Sequence, residues 1–146
     1  MARPQHVLFV CIHNSARSQM AEAFLNAQAG GAIVAYSAGL ERGNLNPVVV
    51  RAMKELGIDI SGSRSKHVDD LDIASRDYDY VVTVCDEARA ELCPIYPTQG
   101  ERLHWSFPDP SSFTGSEEVR LEKTREVRDA IRQRVDEWLR HDLGSS

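Results

Sequence analysis

Residues 11–18 run Cys11, Ile12, His13, Asn14, Ser15, Ala16, Arg17, Ser18, and they separate two stretches that fold differently. Ahead of them, the apolar run HVLFV at 6–10 predicts a strand over 6–11. Behind them, Met20, Phe24 and Ala27 recur on one helical face with Ala21 and Leu25 beside it, which predicts a helix over 17–28. A cysteine therefore stands where a strand ends, and an arginine where a helix begins, with five residues between. That spacing lets the backbone curl so that several N–H groups point at one spot. The helix N-terminus adds partial positive charge, and Arg17 adds a full charge on a planar donor fork. The same field favours a thiolate at Cys11 over a thiol. The segment reads as a nucleophile inside an oxyanion cradle. The bland alternative, a buried cysteine acting as a small hydrophobe, fits poorly with polar neighbours at a strand exit.

Other loop residues carry two readings each. Asn14 tolerates left-handed backbone and is placed to hold the loop by hydrogen bonds, or is an ordinary loop residue. Ser18 either donates to the Cys11 sulfur or bonds its own local backbone. His13 either adds positive charge or is simply exposed, and the second reading is preferred.

Further strands are expected at 33–37, 78–85 and 102–106, and further helices from Asn46-Pro47 to Gly57, over about 68–75 and over 86–92. A last helix begins near Thr114 or Ser116, and Thr114 and Glu117 have capping-box spacing. The tail 144–146 is expected to be loose. Strands alternating with helices make this an α/β chain, one doubly wound domain around a four-stranded parallel sheet with helices on both faces; the strand order 2-1-3-4 is an expectation that alternation alone does not fix. Ligands of such sheets bind at the carboxyl ends of strands. Cys11, Cys85 and Asp109 all fall at that edge. If the first and third strands are neighbours, their ends lie ~5 Å apart, within approach of one cysteine to the other.

The 146 residues suit a single domain spanning 1–146. Hydrophobic residues make up 42% and charged residues 27%, an ordinary soluble balance. A formal net charge of −5 lacks the basic surface that broad nucleic-acid binding needs. No apolar run approaches the ~20 residues of a membrane span. The polar opening MARPQ leads straight into a strand rather than into a signal peptide. Cytoplasmic location and a monomeric state are expected.

Three cysteines, at 11, 85 and 93, form no even disulfide framework. Cys85 and Cys93 are too far apart in sequence for the usual zinc spacing, and no paired histidines follow. Nucleophilic or redox chemistry is the better reading. A straight helix between Cys85 and Cys93 would hold them about 12 Å apart, eight steps of 1.5 Å, whereas a disulfide needs Cα atoms within ~7 Å. If the pair oxidises, the segment 86–92 must unwind or loop. Asp109 lies between Pro108 and Pro110, rigidly placed as a turn residue or as a general acid beside an anion site.

The pieces CIHNSARSQMAE at 11–22, YSAG at 36–39, the Asn46-Pro47 helix start, VVTVC at 81–85, Cys93-Pro94, and the stretch from His104-Trp105 to Asp109-Pro110 together resemble the thioredoxin-coupled arsenate reductases. These share the fold of the low-molecular-weight tyrosine phosphatases, and the resemblance covers nearly the whole chain. It implies that Cys11 attacks arsenate held by Arg17 and the loop at Ile12, His13, Asn14, Ser15, Ala16, Arg17 and Ser18, while Asp109 protonates the leaving oxygen. Cys85 then attacks the adduct, arsenite leaves, and Cys93 takes the disulfide over from Cys11. Thioredoxin reduces the Cys85–Cys93 pair, and the role is arsenic detoxification. No cofactor is required. Some relatives hold a monovalent cation beside the loop, and Asn14, Glu22, Ser37 and Asp70 match those positions, with potassium as the candidate ion.

The chain departs from the resemblance in places. His13 stands where many relatives have glycine, Ala16 where some carry an extra cysteine, and the Cys85–Cys93 spacing is one residue longer than in some members. Ser111, Ser112 and Phe113 follow Asp109-Pro110 where the tyrosine phosphatases carry a tyrosine pair. That difference weighs against the main alternative, a phosphatase using only Cys11, Arg17 and Asp109. A second alternative is a non-catalytic redox or anion sensor.

Overall fold

Four parallel strands build the sheet: β1 (Gln5–Cys11), β2 (Ile33–Gly39), β3 (Tyr80–Cys85) and β4 (Glu101–Ser106), in the order β2-β1-β3-β4. The computed structural model describes residues 4–41, 43–85 and 100–143. The expected helix over 86–92, Cys93 and the tail 144–146 lie outside the described residues. The sheet order and parallel sense are those read from the sequence. In β1, Val7 pairs with Ala35 of β2 and with Tyr80 of β3, so the first strand is central. Its residues are accordingly apolar on both faces. Val7 and Phe9 enter one core, Leu8 and Val10 the other.

The two faces are covered unequally. Helices α1 (Arg17–Gln28), α2 (Pro47–Lys54) and α4 (Glu117–Trp138) share one core, with Met20, Phe24, Val49, Met53, Ile131 and Trp138 among its residues. On the opposite face, α3 (Leu71–Ala74) inserts Ile73 beside Leu8, Val10 and Tyr78. Edge-on aromatic contacts tie the last helix to the sheet. Trp138 meets Trp105 at 5.3 Å and Tyr80 at 5.2 Å between ring centroids.

Helix starts follow local chemistry. Asn46 accepts from the Val48 N–H and Pro47 occupies the first turn of α2. The cap of α4 is Ser116, which accepts from the Val119 N–H, with Glu117 and Glu118 in the first turn. The Thr114–Glu117 spacing is therefore not the box that starts this helix. Gly115, at φ 107°, turns the chain between the two hydroxyl residues and delivers the second one to the helix end. After Pro108, Asp109 is extended as expected, and Pro110–Ser112 then forms a single 3-10 turn.

Gly39 ends β2 hard against the loop that follows β1. A Cβ there would lie 2.7 Å from the Ile12 carbonyl and 2.8 Å from the Asn14 nitrogen. The Glu41 N–H completes the join by bonding the Ile12 carbonyl at 2.8 Å. Gly39→Ala is expected to destabilise the fold by about 1–3 kcal/mol, because backbone must move to admit the methyl group. It should also weaken oxyanion binding, measured by calorimetry with phosphate, whereas substitution at the open Gly62 should do neither.

Glu55, just past α2, clamps α4. Its carboxylate accepts from Arg125 Nε at 2.9 Å and Arg128 Nη1 at 2.8 Å, and Arg128 also bonds the Ala52 carbonyl at 2.8 Å. The Arg125 hydrogen bond, with Arg128 in support, lowers the Glu55 pKa from 4.5 to about 2. A depressed carboxylate stabilises the fold above its unfolded pKa and loses that contribution as pH falls toward the folded value. In urea titrations the stability gap between the wild type and Glu55→Gln should therefore be full at pH 7 and close between about pH 4.5 and 2. A gap that stays constant over that window would contradict the clamp.

Candidate active site

The loop between β1 and α1 bends continuously over residues 12–16 and buries Cys11, Asn14, Arg17 and Ser18. Cys11 Sγ receives the Asn14 backbone N–H at 3.1 Å and lies 2.8 Å from Ser18 Oγ. Asn14 Nδ2 donates to the same hydroxyl at 2.8 Å, which leaves the Ser18 proton for the sulfur. Two donors thus converge on Cys11, as a sulfur anion needs. Asn14 has φ 54°, the one described non-glycine residue in the left-handed region. That turn reverses the chain so that its N–H faces back to the sulfur.

α1 opens on this loop without a side-chain cap, unlike α2 and α4. Its first N–H groups have no helical carbonyl to bond, and the helix dipole adds to them. Arg17 is the first helical residue and is 3% exposed. Its Nη1 donates to the Phe107 carbonyl at 3.1 Å, and its Nη2 lies 3.5 Å from Asp109 Oδ2. The connection after β4 is thereby drawn over the loop. Asp109 Oδ1 accepts the Ser111 N–H at 3.0 Å, so its carboxyl is fixed from both sides. An uncapped helix end, a buried guanidinium and a carboxyl at its rim, with sulfur at the base, are an arrangement that can receive a tetrahedral oxyanion.

Three outer walls hold the loop in shape. The end of β2 supplies the contact at Gly39. The stretch 64–67 bonds it repeatedly: Lys66 N–H to Asn14 Oδ1 at 2.8 Å, and Ser65 hydroxyl to the His13 carbonyl at 2.8 Å. From the third side, the Asn46 N–H bonds the Ser15 carbonyl at 3.0 Å, while Ser15 Oγ lies 3.4 Å from Ser111 Oγ. Ile12 and Ala16 contribute backbone. His13 points outward, half exposed, and donates to Glu41 at 3.0 Å.

Two residues of this framework carried no role in the sequence reading. Gln19 Nε2 contacts Asn14 O at 3.2 Å, Asn14 Oδ1 at 3.0 Å and the Arg64 carbonyl at 2.8 Å. Its signal was available: a polar residue among the buried positions of the helix that closes the loop. Lys66 had no such signal, because nothing local distinguishes it within a polar loop.

The four side chains matched to a potassium site are all engaged by protein partners in this structure. Asn14 Oδ1 already accepts from both Gln19 and Lys66 N–H. Glu22 accepts from the Ser37 hydroxyl, and the Lys66 ammonium lies 3.4 Å from its Oε1. Asp70 caps the His67 N–H at 3.0 Å and pairs with Arg64 at 3.5 Å. The positive charge beside Glu22 is a lysine.

Cys85 ends β3, which pairs with β1 in parallel from Val7–Tyr80 to Val10–Thr83. The two cysteine-bearing strands therefore end side by side.

Comparison with known proteins shows the family. The model of the low molecular weight phosphotyrosine protein phosphatase family matches residues 6–145. An arsenate reductase of Bacillus subtilis is 44% identical over 132 residues, 90% of this chain and 93% of that protein. The structure of an arsenate reductase in an oxidised state superposes with a TM-score of 0.71 at 35% identity, over 91% of this chain and 95% of the other. A thioredoxin-dependent arsenate reductase of Corynebacterium glutamicum aligns with a TM-score of 0.70 at 28% identity, over 99% of this chain and 64% of that one. With its cysteine loop, arginine and aspartate in one sheet-edge site, the chain belongs to the low molecular weight phosphotyrosine protein phosphatase family, among the arsenate reductases of that fold.

Proposed function

We propose that this chain reduces arsenate to arsenite through Cys11, Cys85 and Cys93 in turn, with thioredoxin as the reductant. The reading is carried by one observation: β1 and β3 are adjacent parallel strands, and each ends in a cysteine at the same edge of the sheet. A phosphatase needs only the first of them.

Arsenate enters the loop with its charge on Arg17 and the first N–H groups of α1. Cys11 sulfur bonds to arsenic, and an arsenic–oxygen bond breaks, Asp109 giving its proton to the departing hydroxyl oxygen, which leaves as water. Cys85 sulfur then attacks Cys11 sulfur. The electron pair of the sulfur–arsenic bond stays on arsenic, which falls from As(V) to As(III) and leaves as arsenite. The two lost electrons appear as a Cys11–Cys85 disulfide. Cys93 attacks Cys85, forms Cys85–Cys93 and returns Cys11 as a thiol. A thioredoxin dithiol reduces the pair and is itself oxidised. No resident cofactor takes part. The protein acts as a monomer in the cytoplasm, where a thioredoxin pool is present, and no helix among the described residues is long and apolar enough to cross a membrane.

Arsenate and phosphate share shape and charge, so slow hydrolysis of phosphate esters by Cys11, Arg17 and Asp109 is compatible with the same site.

The test is NADPH oxidation with thioredoxin and thioredoxin reductase, arsenate being the variable. Cys11→Ser, Cys85→Ser and Cys93→Ser should each abolish arsenate-dependent turnover. Arg17→Lys is expected to cost about 10²–10³-fold through loss of the fork, and Asp109→Asn about 10²-fold. Full turnover in Cys85→Ser and Cys93→Ser would refute the relay. Steady ester hydrolysis without reductant, and no arsenate-dependent NADPH loss, would favour the phosphatase.

A further inference from the structure

Glu22 lies on α1 four residues after Ser18, hence about 6 Å further along the same helix face. A carboxylate there sits below an oxyanion cradle, and its charge opposes the anion the cradle must bind. Two groups answer it. The Ser37 hydroxyl donates to Oε1, and the Lys66 ammonium lies 3.4 Å from the same oxygen. The lysine and glutamate side chains are only 14% and 23% exposed, so water screens this pair weakly.

Lys66 is also bound into the loop by its backbone. Its N–H bonds Asn14 Oδ1 at 2.8 Å, and its carbonyl accepts the Gly39 N–H at 2.9 Å. One residue thus holds the side chain that shapes the cradle and neutralises the carboxylate beneath it. We infer that the Lys66 ammonium is a tethered cation at the place where a free monovalent ion would otherwise compensate Glu22, and that it makes oxyanion binding by this chain independent of potassium. Lys66 is a positioning residue: it acts on the anion through Glu22 and Asn14. The inference rests on the loop as an oxyanion cradle, not on which oxyanion is the substrate.

Removing the ammonium leaves Glu22 uncompensated in a partly buried setting. Potassium, small and weakly hydrated, is then expected to take over, while tetramethylammonium is too large. The experiment measures inorganic phosphate affinity by calorimetry and thermal midpoint, in potassium chloride and in tetramethylammonium chloride at equal ionic strength. Wild type should give the same phosphate Kd within about twofold in both salts, and the same midpoint. Lys66→Ala should bind phosphate at least about fivefold more weakly in tetramethylammonium, and potassium should restore both affinity and midpoint. The pair Glu22→Gln with Lys66→Met, which removes both charges, should fold and show no preference between the salts.

A wild type that gains phosphate affinity or thermal stability from potassium overturns the inference. So does a Lys66→Ala protein that is weakened equally in both salts, which is what a merely structural lysine predicts. If Lys66→Ala fails to fold in tetramethylammonium, recovery in potassium supports the inference and failure in both salts overturns it. A salt preference surviving in the double variant also overturns it. Because phosphate and heat are the probes, these outcomes are independent of arsenate turnover and of the cysteine relay.

Discussion

Asn14 is fully buried, left-handed, and bonded through both its backbone and its side chain. Its backbone N–H reaches the Cys11 sulfur and its side-chain amide reaches Ser18 Oγ. Its Oδ1 takes donors from Gln19 and from the Lys66 N–H. Left-handed geometry costs a side-chain-bearing residue roughly 1–2 kcal/mol. Buried hydrogen bonds are worth roughly 1 kcal/mol each and reinforce one another in a dry network. The bonds therefore outweigh the strain, and the loop has one shape rather than many. That shape holds the Asn14 N–H on the Cys11 sulfur before any ligand arrives, which lowers the cost of ordering the loop on binding.

The fold delivers the remaining parts to that fixed loop from distant points in the chain. Gly39 lets the end of β2 touch loop backbone, and the Phe107 carbonyl and Asp109 arrive from the connection after β4. They come from two different strand ends, and parallel strands put those ends on one edge. The same topology sets β3 against β1. An oxyanion site with one cysteine is a hydrolase's tool. In the proposed relay, the second cysteine on the neighbouring strand end is the partner to which two electrons' worth of oxidation would pass, and that separates the reductase reading from the phosphatase one.

Much of this was legible because it is local. The strand, loop and helix around residues 5–28 follow from a change of hydrophobic period, and α2 from Asn46-Pro47. The parallel sheet followed from the alternation of strands and helices, while its order β2-β1-β3-β4 was an expectation that no single segment carried. What escaped was decided by long-range closure. Thr114 and Ser116 are equally good cap residues on paper, and only the turn at Gly115 chooses between them. Asp70 was matched to a cation site through the resemblance alone, and nothing in the sequence showed that the path of residues 61–67 brings Lys66 to Glu22. Gln19 looked like one more helix residue until its amide met two carbonyls and a side chain. In each case the deciding contact joins segments many residues apart, and periodicity carries no information about it.

The account stands or falls on whether arsenate drives oxidation of the protein's own thiols. The direct measurement is a single turnover: fully reduced protein, one equivalent of arsenate, no thioredoxin, then alkylation and mass mapping. The account predicts about one arsenite released per chain, with Cys11 alkylated and Cys85 and Cys93 joined. Three alkylated cysteines with no arsenite formed would contradict it.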